Sequence, residues 1–205
     1  MAGCRGLCGV ALAALWLAAA AVAAVPRGAQ DDPDVIGVPN GGLRGAWAWQ
    51  DRCPERTYAT GFSIKLEAYR GIPDDTALNG IRLHCTPGSR GDRHEARTAE
   101  SQSGRWGRWL EPAWCPEGTY LQRFSLRVEE PRPGLQDAMG ATNVRFACSG
   151  GQNLEGRGLA WGEYGAWSPP CTKGLCGIQT KQEMALGPLS DDTALNDVRF
   201  FCCTH

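Results

Sequence analysis

Several common signals are missing from this sequence, and each absence removes a class of function. Only three histidines occur in 205 residues, and His84, His94 and His205 are scattered. No Ser-His-Asp or Cys-His arrangement can be argued from them, so nucleophilic catalysis of that type has no candidate. No Cys-x2-Cys pair exists, which removes the usual zinc frameworks; neither a metal nor another cofactor is expected. No Asn-x-Ser/Thr sequon is present, so N-linked glycans are not expected. No collagen period, heptad pattern or low-complexity tract appears. Charge of one sign is lacking too: 21 basic residues face 22 acidic ones. A chain this close to neutral is a poor partner for nucleic acid or an anionic membrane, and neither is expected.

Long apolar runs are absent as well, with one exception. Val10 to Val25 is an unbroken apolar stretch of 16 residues, preceded by the single positive charge of Arg5. It is shorter than the roughly 20 residues a membrane helix needs, and Val22-Ala23-Ala24 offers the small residues a signal peptidase reads. Residues 1–24 are therefore expected to be a signal peptide and the mature protein to be secreted. Without Arg5 the basic count falls from 21 to 20 against 22 acids, a net charge of −2.

Cysteine, in contrast, is plentiful. Cys4 and Cys8 leave with the signal peptide. Cys53, Cys85, Cys115, Cys148, Cys171, Cys176, Cys202 and Cys203 remain. An even number in a secreted chain reads as a disulfide framework.

The spacing of these cysteines exposes an internal repeat. Cys53 to Cys85, Cys115 to Cys148 and Cys171 to Cys202 are 32, 33 and 31 residues apart. Ahead of each first cysteine stands Gly-x-Trp: Gly45-Ala46-Trp47, Gly107-Arg108-Trp109 and Gly165-Ala166-Trp167. After it come Phe62-Ser-Ile-Lys-Leu-Glu67, Phe124-Ser-Leu-Arg-Val-Glu129 and Ile178-Gln-Thr-Lys-Gln-Glu183. Asp-Asp-Thr-Ala-Leu-Asn leads to the second cysteine in repeats one and three, from Asp74 and Asp191. The middle copy is degraded to Asp137-Ala-Met-Gly-Ala-Thr.

Apolar residues in these blocks alternate, as Phe62, Ile64 and Leu66 do with Ser63, Lys65 and Glu67. That period of two belongs to strands with one buried and one wet face, and no helical stripe competes with it. Thr180 and Gln182 make the third copy more polar. One repeat yields one small sheet that cannot bury its apolar face alone. Three sheets around a common axis can, which predicts an all-β three-sided prism. The expected organisation is a flexible lead-in over 25–40 and a single domain over 41–205. Its repeats span about 41–87, 104–149 and 158–203, joined by polar linkers over 88–104 and 149–158.

Bridges are expected within repeats, as Cys53–Cys85 and Cys115–Cys148. In the third, Cys171–Cys202 with Cys176–Cys203 competes with the swapped pairing, Cys171–Cys203 with Cys176–Cys202. Arg82, Arg145 and Arg199 share one repeat position, and Glu67, Glu129 and Glu183 are their expected partners.

The Gly-x-Trp motifs, the cysteine spacing and the DDTALN-x-[IV]-R-[LF] signature together resemble vitelline membrane outer layer protein I and its homologues, from about Val35 to the C-terminus. The resemblance implies a β-prism of three Greek-key sheets with pseudo-threefold symmetry and four disulfides. It also implies an egg-coat-type extracellular component associated with ovomucin, and a chitooligosaccharide transglycosylase activity. The expected function is a matrix or secretion protein that binds glycoproteins or oligosaccharides of the extracellular matrix or mucus. The alternative is a transglycosylase acting through acidic loops.

Glycosyl transfer needs two carboxyl groups flanking one bond. Asp74, Asp75, Asp191 and Asp192 are adjacent pairs in sequences suited to turns, and adjacent strand residues face opposite ways. No residue is therefore assigned as catalytic. If a sugar site exists, these acids and Asp137 would gather at one end of the prism. Trp47, Trp109 and Trp167 recur and are expected to pack. Trp49, Trp106, Trp114 and Trp161 lie off the repeat position, where an exposed indole can stack on a sugar ring. Trp49 and Trp114 are taken with the five aspartates as the candidate glycan-binding set.

Overall fold

The computed structural model describes residues 34–67, 78–88, 93–129, 140–183 and 195–205. The first stretch of chain forms β1 (Val35–Ile36), β2 (Ala46–Trp47), β3 (Asp51–Arg52), β4 (Thr57–Leu66), β5 (Leu78–Pro87) and β6 (Arg97–Glu100). Next come β7 (Arg108–Trp109), β8 (Ala113–Trp114), β9 (Leu121–Val128), β10 (Ala141–Cys148) and β11 (Asn153–Glu155). The last are β12 (Glu163–Tyr164), β13 (Leu175–Gln182) and β14 (Leu195–Cys202).

Three antiparallel sheets result. The first runs β6-β5-β4-β7 with β8 also on β4; the second runs β11-β10-β9-β12; the third runs β1-β14-β13-β2 with β3 also on β13. At the centre of each lie two long neighbouring strands, and their alternating apolar faces turn to a shared axis. The axial layer pairs Phe62 with Leu83, Phe124 with Phe146 and Ile178 with Phe200. None of the six is more than 1% exposed. Ring centroids of Phe62 and Phe146 are 4.6 Å apart, and those of Phe124 and Phe200 are 4.7 Å apart, so rings from all three sheets meet. Burying each such side chain stabilises the fold by about 1.5–3 kcal/mol. This is the β-prism.

Sheets and sequence repeats do not coincide. Each sheet takes its two long strands from one repeat and its short flanking strands from the opening of the next. Thus β7 and β8 complete the sheet of β4, β12 completes that of β9, and β2 and β3 close the ring on β13. The expectation of one repeat per sheet is corrected here. A two-stranded ribbon is marginal alone, and the borrowed strands widen it.

The same offset changes what the bridges do. Four disulfides form: Cys53–Cys85, Cys115–Cys148, Cys171–Cys202 and Cys176–Cys203. Cys53 follows β3 and donates its N–H to the Cys176 carbonyl of the third sheet, while Cys85 lies in the first. Cys115 and Cys171 likewise sit against the sheets of β4 and β9, while their partners lie in β10 and β14. Three bridges therefore staple neighbouring sheets around the ring, and Cys176–Cys203 braces β13 and the end of β14 within the third sheet.

The segments read as linkers contribute edge strands. Arg97–Glu100 is β6 and Asn153–Glu155 is β11, and Ala99 is fully buried. Val35 and Ile36, counted above in the lead-in, pair with Phe201 and Phe200 as the matching edge of the third sheet. The polar positions of the third copy are satisfied by one of these linkers. Thr180 donates to the Gln102 carbonyl at 2.7 Å, and the Gln182 amide donates to the carbonyls of Asn79 and Gln102. Buried polar groups with such partners carry little penalty.

Candidate functional site

The outward faces of the central strands read in sequence as solvated decoration, yet aromatic rings cover them. The Arg82 guanidinium lies 4.0 Å from the Trp109 ring, Arg145 4.2 Å from Tyr164, and Arg199 4.6 Å from Trp47. Each such stack stabilises by about 0.5–2 kcal/mol, according to how dry it is. The neighbouring cations hold the borrowed segment by its backbone. Lys65 donates to the Gly104 carbonyl, Arg127 to that of Leu159 and Lys181 to that of Leu43.

The three arginines thus share an aromatic environment, but their polar partners differ from the expected glutamates. Arg82 pairs with Glu100 at 2.6 Å and Arg199 donates to the Gln179 side chain at 2.8 Å. Arg145 sits opposite Glu155, which accepts the Tyr164 hydroxyl. Burial, and then Glu155, push the Tyr164 hydroxyl above its ordinary pKa. The acid opposite Arg82 and Arg145 comes from the edge strand, because cross-strand neighbours on β5–β6 and β10–β11 are closer than the ends of β4 and β9.

Tyr164 also revises the third copy of the Gly-x-Trp motif. Gly45, Gly107 and Gly162 have φ of +82°, +83° and +78°. A Cβ at any of them would strike the backbone of Gln182, Leu66 or Val128. Glycine alone is comfortable there. The third copy is therefore Gly162-Glu163-Tyr164, three residues before the Gly165-Ala166-Trp167 read from sequence. Arg44, Trp106 and Trp161 then occupy one repeat position, just ahead of the turn glycine. Trp106 is 55% and Trp161 41% exposed. Both sit at the end of the prism where β4 and β9 run out into residues 68–77 and 130–139.

The sequence-derived candidates divide sharply. Asp74, Asp75, Asp137, Asp191 and Asp192 lie outside the described residues. Trp49, in the connection from β2 to β3, is 58% exposed and donates its indole N–H to the Glu100 carbonyl, so it ties the third sheet to the first. Trp114, on β8, is half-buried against Gly61, with His84 5.2 Å and Arg93 5.5 Å from its ring. Its faces are taken by protein. Trp106 and Trp161 are the exposed rings at that end of the prism, and the signal for them was the pattern Trp-Gly-x-Trp/Tyr.

Two titratable groups on the outer faces are perturbed. Burial and the charge of Arg82 lower His84 to about 4, and its Nε2 is 2.8 Å from the Ser63 hydroxyl. Burial raises Asp197 to about 6, against the N–H of Val198 and the charges of Lys181 and Arg199, which pull it down. Among the described residues, neither faces a second acid in a cleft. Among the described residues, no group of three or more His, Cys, Asp or Glu side chains gathers as a metal site. A crevice of about 90 Å³ opens between Leu110–Ala113 and Glu155–Arg157 over Phe62 and Ile64.

Solved structures of similar shape are lectins. Calystegia sepium agglutinin superposes with a TM-score of 0.52 at 13% identity, covering 82% of this chain and 95% of that one. Calsepa lectin in complex with a biantennary N-glycan gives 0.52 at 14%, with the same coverage. At such identities the likeness shows the fold alone. Sequence says more. The profile of the family described as vitelline membrane outer layer protein I matches residues 34–205. The mouse vitelline membrane outer layer protein 1 homolog is 55% identical over 170 residues, 82% of this chain and 83% of its own length. The human homolog is 57% identical over 171 residues, 82% of each chain. With its repeats, bridges and prism accounted for residue by residue, this chain belongs to the vitelline membrane outer layer protein I family.

Proposed function

We propose that this protein is a secreted glycan-binding component of an extracellular coat or mucus, and that it holds sugars without processing them. The observation that carries the reading is the pair of solvent-exposed tryptophans, Trp106 and Trp161, at one repeat position on one end of the prism. An exposed indole presents a flat apolar face to the C–H face of a sugar. Equivalent rings on adjacent sheets suit an extended or branched glycan better than a single monosaccharide. The four disulfides fit an oxidising extracellular setting. The family description names an outer layer of the vitelline membrane, a setting that fits as well. Structural neighbours that are lectins support sugar binding in general.

The test is a glycan array probed with the secreted protein, followed by calorimetry on the strongest ligand. Removing the ring that holds the ligand, by Trp106→Ala or Trp161→Ala, should weaken binding about 2- to 12-fold, the value of one lost aromatic contact of roughly 0.5–1.5 kcal/mol. Array binding that survives the double variant unchanged would overturn the assignment. Chitooligosaccharides incubated with the protein and followed by mass spectrometry should keep their chain lengths. Longer products that vanish in Asp74→Asn or Asp191→Asn would establish the transglycosylase instead.

A further inference from the structure

We propose that the Arg105-Trp106-Gly107-Arg108 corner selects sugars that carry negative charge, as a sulfate ester or a carboxylate. The inference rests on the glycan-binding reading above and names the class of sugar. Trp106 supplies the open ring, 55% exposed. Arg105 and Arg108 flank it, and both are exposed. Neither guanidinium makes a hydrogen bond, ion pair or ring contact among the described residues. The arginines at the shared repeat position of the outer faces are committed: Arg82 to Glu100 and Trp109, Arg145 to Tyr164, and Arg199 to Trp47. Glu67, the acid beside Gly107, has an interaction of its own.

This corner is held in place before any ligand arrives. Lys65 donates to the carbonyls of Gly104 and Arg105, and Arg108 pairs with Leu66 in β7. Gly107 fixes the turn between the ring and Arg108 at φ +83°. A pre-ordered ring with two guanidinium groups beside it, unpaired among the described residues, matches a pyranose bearing an anionic oxygen group: the ring stacks and the planar donors take the oxygens.

The molecule contains its own control. At the equivalent corner an exposed ring, Trp161, is flanked by Ala160 and Glu163. The fold and the aromatic are shared, while the charge is reversed. The two corners should therefore separate sugars by charge, with anionic residues at Trp106 and neutral ones at Trp161.

The experiment measures binding of the secreted protein to three probes built on one oligosaccharide: the neutral parent, a sulfated form and a sialylated form. Calorimetry is run at low and physiological salt. At low salt, at least one charged probe should bind about tenfold or more tighter than the parent. Arg105→Gln/Arg108→Gln should reduce that preference at least fivefold, flatten the salt dependence and leave the parent's affinity unchanged. Trp106→Ala should weaken the charged probe, whereas Trp161→Ala should weaken only the parent. Parent binding without a preference for either charged probe, or a preference that survives the double arginine variant, overturns the charge selection alone. If no probe binds and the array is blank, the glycan-binding reading fails with it. Thermal unfolding checks that each variant is folded, and Arg105→Lys/Arg108→Lys should retain at least part of the preference.

Discussion

Asp197 is a carboxylate whose position works against its own charge, and replacing it with asparagine should make the protein more stable. Its side chain lies under Gly41 on the outer face of β14, and one oxygen accepts the N–H of Val198 at 2.8 Å. Burial raises its pKa from 3.8 to about 6. The difference of roughly 2 units corresponds to at most about 3 kcal/mol. The sign follows from which state holds the proton. Between pH 3.8 and 6 the unfolded chain has released it and the folded chain keeps it, so stability falls as pH rises through that window. Above pH 6 the folded protein carries the full cost of the buried charge. Asn143 shows that an amide fits the role: in the second sheet its Oδ1 accepts the N–H of Val144 in the same way. Asp197→Asn gives up attraction to Lys181 and Arg199, so the expected net gain at pH 7.5 is about 1–2 kcal/mol. For a domain of this size that is roughly 2–8 °C in Tm. Thermal or urea unfolding with disulfides intact, at pH 4 and pH 7.5, reads it out. The gain should be present at pH 7.5 and nearly gone at pH 4. A variant less stable at pH 7.5, or a gain that ignores pH, would refute the reasoning.

His84 behaves oppositely: burial and Arg82 hold its pKa near 4, so stability should be lost as pH falls from about 6.5 to 4, and NMR titration should find the folded imidazole neutral down to about pH 4. Arg56 has φ of +60°, whereas the matching turns after Cys115 and Cys171 have Gly118 and Gly174 in the same left-handed region. Arg56→Gly should stabilise the protein by about 0.5 kcal/mol, with relief of the Cβ clash partly offset by unfolded-chain entropy, and equilibrium unfolding of the two proteins compares them. Removing Cys176–Cys203 by double serine substitution should cost about 3 kcal/mol, a loop-closure value, while the other three pairings survive in non-reducing peptide maps.

The fold was legible because its signals repeat. Phe62, Ile64 and Leu66 alternate, their counterparts in the other copies do the same, and the cysteines mark the copies at nearly equal spacing. Strand exchange between copies was not legible. Nothing in Ala46-Trp47 or Arg108-Trp109 says which sheet they will join, since pairing is decided by how the ring closes in space. The short edge strands were hidden for a related reason. Arg97-Thr-Ala-Glu100 is polar except for one alanine, and an edge strand needs only one buried face. The slip of three residues from Gly162 to Gly165 came from matching tryptophan to tryptophan. The turn requires its glycine, and tyrosine serves as well as tryptophan under an arginine. The candidate acids fall outside the described residues, while the exposed rings Trp106 and Trp161 stand just ahead of the turn glycines.

Strand exchange also explains how function can vary on such a regular frame. Because each sheet is finished by the next repeat, the glycine turn, the covering ring and the backbone-holding cation recur at every corner, at Gly45, Gly107 and Gly162. Those positions are fixed by the closure of the ring and leave little freedom. The residue just before each glycine is held in a defined place by that same machinery. It is arginine at 44 and tryptophan at 106 and 161, with two flanking cations at one tryptophan and an acid at the other. Symmetry in the supporting backbone places three side chains at one end of the prism, and asymmetry in their chemistry makes the three corners different. On the proposed glycan-binding reading, substitutions at residues 44, 105, 106, 108 or 161 would change the ligand without disturbing the axial core, where Phe62, Phe124, Phe146 and Phe200 are enclosed.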